Sequence, residues 1–171
     1  MINLDGVDLV TGLLNKNSYG YNIAERIAYD FPNIPFTDGY KSNIEGIDLN
    51  LQFPADWETA KEIKYAQGFT KPAPRDFVGF GPLTEPESLA IYNFTLNHNF
   101  RLILAYHSQG EVIFWQFQNY NPPRAREIGE SFERISGYTL ADTPFNSSFA
   151  GYKDWFIQKM KERKCTCAQL E

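Results

Sequence analysis

Apolar and polar positions sort most clearly in the second half of the chain. Leu89, Tyr92 and Leu96 recur at three- and four-residue spacing, with Ile91 and Phe94 near them, which is the period of one helix face. Thr84-Glu85-Pro86-Glu87 marks the start: Thr84 can cap, Glu87 stands three residues on as in a capping box, and Pro86 suits the first turn. The helix should end near Asn97-His98-Asn99. Phe100 to Tyr106 follows as a short apolar run of the buried-strand kind, and Val112 to Phe117 predicts another strand. Asn119 to Pro123 predicts a turn. Arg124 to Ser136 is amphipathic through Ala125, Ile128, Phe132 and Ile135, and Gly137 stops it. Ala150 to Lys161 predicts a last helix, with Tyr152, Trp155, Phe156 and Met160 on its apolar side. A helix followed at once by a buried strand predicts an α/β layered domain.

The first half is less regular. Asn, Asp, Gly and Ser recur through the first forty residues, which predicts loops, with a short strand or turn at Val7 to Val10 and a brief helix from Ile23 to Tyr29. A second irregular stretch is expected from Phe53 to Pro82, where Pro54, Pro72, Pro74 and Pro82 fall. So much loop in one domain points to loops that serve function.

Composition narrows the classes. At 171 residues, 43% apolar and 22% charged, the chain can fill the core of one domain. A net charge of −5 argues against a partner held by its phosphate backbone, so no nucleic acid is expected. No apolar run reaches membrane-helix length, and the start, Met1-Ile2-Asn3-Leu4-Asp5, has neither a basic nor an apolar leader region. As given, the chain therefore predicts no membrane partner and a cytoplasmic location. Cys165 and Cys167 are too close to staple a fold, and they lack the second pair of a zinc ribbon. Aromatic residues reach 16%, which fits an aromatic core or a ring-lined groove.

Two places could carry chemistry. His107 stands at the end of the first predicted strand, followed by Ser108-Gln109-Gly110, where ligands of open α/β sheets bind. An imidazole there could bind a metal or move a proton, and a lone histidine can equally be a hydrogen-bonded structural residue. The other is Gly46 to Pro54, where Ile47 and Leu49 alternate with Asp48 and Asn50 as at a strand end. The Asn50 amide could meet a peptide or carboxylate, or the segment could be a buried Asx turn.

These pieces, in order, resemble one family. Gly46-Ile47-Asp48-Leu49-Asn50 followed by Phe53-Pro54 resembles the Gly-Val-Asp-Leu-Asn-Arg-Asn-Phe-Pro segment of the zinc carboxypeptidases, peptidase family M14. Gly81-Pro82-Leu83-Thr84-Glu85-Pro86-Glu87 is similar to that family's helix start, and Asn3-Leu4-Asp5-Gly6 to its Asn-Pro-Asp-Gly turn. Ala105 to Gly110 resembles the strand end that supplies the third zinc ligand, and Gly151 to Ile157 the segment shaping the specificity pocket. Gln52, Gln109-Gly110-Glu111 and the Gly151-Tyr152-Lys153-Asp154-Trp155-Phe156-Ile157 run resemble the γ-D-glutamyl-meso-diaminopimelate peptidase branch, which cuts bacterial cell-wall peptides.

The resemblance implies the C-terminal part of a carboxypeptidase-like α/β/α layered domain with a mixed, mostly parallel sheet over residues 1–160, then a divergent polar tail over 161–171. It implies zinc held by a His and a Glu of an early His-x-x-Glu motif and by a later His, with a Glu near the C-terminus as general base. Only the later His has a counterpart, His107; no His-x-x-Glu occurs in the chain, and Ala168 stands where the Glu is expected. No catalytic residue is therefore assigned, and one imidazole does not suffice to hold catalytic zinc. The implied substrate-binding residues are Asn50, Lys153 at the base of the specificity pocket, and Lys41 shortly before the motif; either lysine could instead face solvent. The Arg that follows Asn in the motif is replaced by Leu51, which argues against plain exo-carboxypeptidase action. The resemblance implies a zinc metallopeptidase acting on γ-D-glutamyl-diaminopimelate bonds in a cell-wall or spore context, with this chain an inactive or incomplete fragment. The alternatives are a non-catalytic muropeptide-binding module and half of a split peptidase, whose complementing polypeptide carries the missing ligands.

Overall fold

The computed structural model describes residues 17, 19–36, 39–107, 110–162 and 168–170, the last three by backbone alone. Helix α1 (Tyr19–Tyr29) forms where Ala24 and Ala28 recur one turn apart, and it buries both together with Tyr21. It begins before the expected Ile23. The expected strand at Val7 to Val10 lies outside the described residues.

Helix α2 (Trp57–Ala66) corrects the reading of Phe53 to Pro82 as irregular. Its prolines bracket the helix and do not enter it. Trp57 and Ala60 are buried on one side, and the Lys61 ammonium lies 5.3 Å and 5.5 Å from the Trp57 and Tyr65 rings. Cation–ring packing of this kind hides the apolar period from a count of apolar letters.

Helix α3 (Pro86–Leu96) has Pro86 in its first turn, as predicted, but Glu85 is the N-cap and makes no side-chain cap bond. Thr84 is drawn away, because its hydroxyl donates to Gln52 Oε1 at 3.0 Å. Tyr92 and Leu96 pack on the core, whereas Leu89 is 41% and Phe94 53% exposed. One side of α3 is thus apolar and uncovered among the described residues.

The strands are short. Strand β1 (Leu102–Leu104) pairs parallel with β4 (Ala168–Leu170), Leu102 opposite Ala168. Strand β2 (Val112–Phe114) pairs parallel with β3 (Thr139–Ala141), Val112 opposite Thr139. The connection between β2 and β3 runs through helix α4 (Ala125–Ser136), the crossover that parallel strands require. Ile128 and Phe132 of α4 pack on Ile113, Trp115 and Leu140, while Ile135, expected on the same face, is 85% exposed. Gly137 ends α4 with φ +77, and its N–H donates to Glu133 O. Leu102 is exposed, so the run from Phe100 to Tyr106 is a shorter and less covered strand than expected. The observed class is a mixed α/β fold with small parallel sheets.

Helix α5 (Tyr152–Glu162) supplies the main core. Trp155, Phe156, Ile157 and Met160 pack with Phe53 and Phe117, and Tyr92, Leu96, Phe100 and Ile103 close over them. A second core joins Trp57 and Ala60 to Val78 and Phe149. Most large rings therefore serve packing. Trp115 is 5% exposed within the α4 core. Backbone of the expected tail contributes β4, and Cys165 and Cys167 lie outside the described residues.

Candidate functional site

Asp48 organises the site. Its N–H donates to Phe77 O at 2.9 Å. One carboxylate oxygen accepts from Asn50 N at 3.3 Å and the other from Asp76 N at 3.1 Å. A carboxylate that takes nearby N–H groups competes with strand pairing. The segment accordingly turns into a 3-10 helix over Leu49–Leu51 with Asp48 as its N-cap. This corrects the strand-end reading in favour of the Asx turn.

The turn fixes the Asn50 amide. Asn50 Oδ1 accepts from Tyr152 N at 3.2 Å, which leaves Nδ2 as a donor. Tyr152 in turn shares a 2.8 Å hydrogen bond with Thr95 Oγ1. Three segments distant in sequence thus hold one side chain.

A hollow of about 280 Å³ opens at this turn. Its wall includes Lys41, Asp48, Asn50, Lys64, Arg75 and Asp76. Leu51, Asn146 and Phe149 also line it. Lys41 is half-buried; its backbone N–H donates to Pro74 O at 2.7 Å, and no ion pair to its ammonium is seen among the described residues. Lys64 Nζ lies 2.6 Å from Asp76 Oδ1, and Arg75 Nε lies 2.8 Å from Asp76 Oδ2. Burial pushes the Asp76 carboxyl up, but the hydrogen bonds and charges of Lys64 and Arg75 outweigh it and hold the group below the usual carboxylate range. Three cations against two carboxylates make the wall a receptor for negative charge.

His107 is exposed, beyond the end of β1, and does not form part of that wall. It nevertheless lies within electrostatic reach of the site. Desolvation by the protein atoms on the inner side of the ring, and then the Lys41 ammonium, push its pKa below the ordinary value, and Asp48 pulls the other way. The structure therefore brings Lys41 and Asn50 together in one hollow, with His107 close enough to feel its charges.

Lys153 is placed differently. It is 1% exposed, and its ammonium donates to Gln116 O at 2.9 Å and to Asp154 Oδ1 at 2.5 Å, with Thr143 Oγ1 at 3.5 Å. It does not line the hollow. Lys64, Arg75 and Asp76 were not among the expected site residues. The available signal is the adjacent opposite charges of Arg75-Asp76 held between Pro74 and Phe77, a loop away from Lys64 in the last turn of α2.

Catalytic zinc needs three protein ligands and an open position. Among the described residues no group of three or more His, Cys, Asp and Glu could hold a metal ion. The Asp48 carboxylate is engaged by two backbone N–H groups, and Lys41 places a cation near the His107 imidazole. The described donor set alone does not fit a catalytic zinc.

Comparison with known proteins gives the family. The zinc carboxypeptidase family matches residues 1–158. The chain is 44% identical over 158 residues to γ-D-glutamyl-L-diamino acid endopeptidase 1 of Lysinibacillus sphaericus, covering 92% of this chain and 38% of that protein. It is 38% identical over 157 residues to the uncharacterized protein YqgT of Bacillus subtilis strain 168, covering 92% of this chain and 40% of that protein. The chain thus spans about two fifths of the length of the curated relatives it matches. On a family match that runs over residues 1–158, the chain belongs to the zinc carboxypeptidase family.

Proposed function

We propose that this chain takes part in hydrolysis of γ-D-glutamyl-diaminopimelate bonds of cell-wall peptides, holding the acidic substrate and offering His107 as one zinc ligand. The observation that carries this reading is Asn50, whose backbone N–H is held by Asp48 and whose side-chain Oδ1 accepts from Tyr152 N, in a hollow that also contains Lys41 and Arg75. The similarity to a γ-D-glutamyl-L-diamino acid endopeptidase supports the substrate class. The helices packed on small parallel sheets fit the carboxypeptidase-like α/β/α layered domain that this reading requires.

Zinc, when bound in this family, polarises the scissile carbonyl and activates water. The chain contains no His-x-x-Glu, and the described residues hold no group of three possible ligands, so this reading takes the remaining ligands from another segment. A polypeptide carrying that motif would complete a split peptidase. A second reading, a muropeptide-binding module that needs no metal, is favoured by the donors for a carboxylate that Lys41, Arg75 and Asn50 themselves bring to the hollow.

Calorimetry with a γ-D-glutamyl-diaminopimelate peptide, in chelator and then in zinc, separates these readings. Binding unchanged by zinc favours the module; binding or turnover that needs zinc and a polypeptide carrying His-x-x-Glu favours the split peptidase. The purified chain alone is expected to show no turnover. Turnover by it alone, abolished by His107→Ala, would contradict the shared ligand set.

A further inference from the structure

The hollow contains three cations that differ in what they have left to give. Lys64 is committed: its ammonium sits 2.6 Å from Asp76, with both side chains largely covered. Arg75 is committed on one edge. Its Nε donates to Asp76 at 2.8 Å, and no hydrogen bond from its two Nη groups is seen among the described residues. Its side chain remains 35% exposed in the wall of the hollow. Leu51, also in the wall, has no charge to offer.

Asp76 is the strut between the two cations. Its backbone sits at φ +65, a left-handed conformation that is uncommon for residues other than glycine. Its N–H is anchored by Asp48, the same carboxylate that caps the Asn50 turn. Backbone strain of this kind persists where the surroundings over-determine it, and such positions concentrate at ligand sites. Asp76 neutralises one side of the guanidinium and sets its plane, while Lys64 keeps Asp76 from rotating away. A planar fork with its outer edge unengaged suits a carboxylate, which it can take through two parallel N–H donors.

We propose that Arg75 is a specificity-determining residue, whose outer guanidinium edge, braced by Asp76 and Lys64, clamps a carboxylate of the ligand in the hollow that Lys41 and Asn50 share. The ligand class is a peptide or small acid carrying two carboxylates, one for Arg75 and one for Lys41 with Asn50 Nδ2. This deepens the substrate reading given above and rests on it for the identity of the peptide.

Calorimetric titration of the full chain with glutarate, with its monoamide, and with the γ-D-glutamyl-diaminopimelate peptide tests the clamp. Arg75→Met should weaken glutarate and peptide about tenfold or more, the scale of one charge-assisted clamp. It should leave the monoamide, which occupies only the Lys41 and Asn50 end, within about twofold of wild type. Arg75→Lys, which keeps the charge and is the milder change for folding, should recover only part of the loss, and Lys64→Met should show a smaller loss in the same direction. Equal weakening of diacid and monoamide, or none, overturns the clamp. Arg75-dependent glutarate binding with no peptide binding would keep the clamp and sink the muropeptide reading. Peptide binding indifferent to Arg75→Met would do the reverse, and no binding of any probe would sink both.

Discussion

His107 shows how a single residue is tuned by neighbours from elsewhere in the chain. Partial desolvation of the ring and the Lys41 charge both disfavour the imidazolium, against the pull of Asp48. The folded protein then binds fewer protons at this site than the unfolded chain below the ordinary histidine pKa of 6.5. The contribution to stability is complete above that value and is lost as pH falls through the lowered folded value. An NMR titration of the imidazole should give a midpoint below 6.5, moved upward in Lys41→Met and downward in Asp48→Asn. A wild-type midpoint at or above 6.5 would mean that desolvation and Lys41 together do not outweigh Asp48 at this ring. In the sequence His107 stood out by its place after a strand, and Asn50 by its motif. Their shared neighbourhood with Lys41 was legible only through the family resemblance, since spacing along a chain does not encode distance in space.

At the scale of elements, Gln52 joins the Asn50 turn to the start of α3. It is fully buried, its Nε2 donates to Val78 O at 2.6 Å and Gly81 O at 3.1 Å, and its Oε1 accepts from Thr84 N at 2.9 Å and Glu85 N at 3.2 Å. Every hydrogen-bonding position of that amide is filled. Gly79, at φ +83, passes so close that a Cβ there would lie 2.6 Å from Gln52 Nε2. Replacing Gln52 by Leu leaves buried backbone donors and acceptors unpaired, and should cost about 3 kcal/mol in urea denaturation. A loss under about 0.5 kcal/mol would show that water takes over the role of the amide. The same network explains where sequence reasoning about caps fell short. Thr84 has the composition of an N-cap, but Gln52, thirty-two residues earlier, takes its hydroxyl and backbone N–H. Helix α2 was missed for a related reason, because much of its periodic face is made by Trp57, Tyr65 and the Lys61 stem and not by aliphatic residues.

Across the whole molecule, Lys153 ties the core helix to the β2–β3 unit. From α5 it reaches Gln116 just after β2 and Thr143 just after β3, while Asp154 beside it accepts from Gly151 N at 3.1 Å. A buried ammonium is retained only where its donors are matched, and removing it strands the neighbouring carboxylate. Lys153→Met should therefore destabilise the fold by about 3 to 5 kcal/mol, and adding Asp154→Asn should restore part of that loss. Chemical denaturation of the single and double variants measures both. A neutral single variant would mean that Asp154 finds solvent, contrary to its 2% exposure.

The sequence by itself determined the helices α3, α4 and α5, the α/β class, and a family membership carried by short motifs in a fixed order. Each of these depends on local periodicity, turn chemistry or residue identity, which a linear string records. Tertiary structure alone decided that Asp48 spends its carboxylate on two backbone amides, that Arg75 and Lys64 share Asp76, and that Lys153 is a core strut. Those outcomes depend on which desolvated polar groups find partners, and the partners come from remote segments. Burial sets that demand, and only the folded chain shows how it is met.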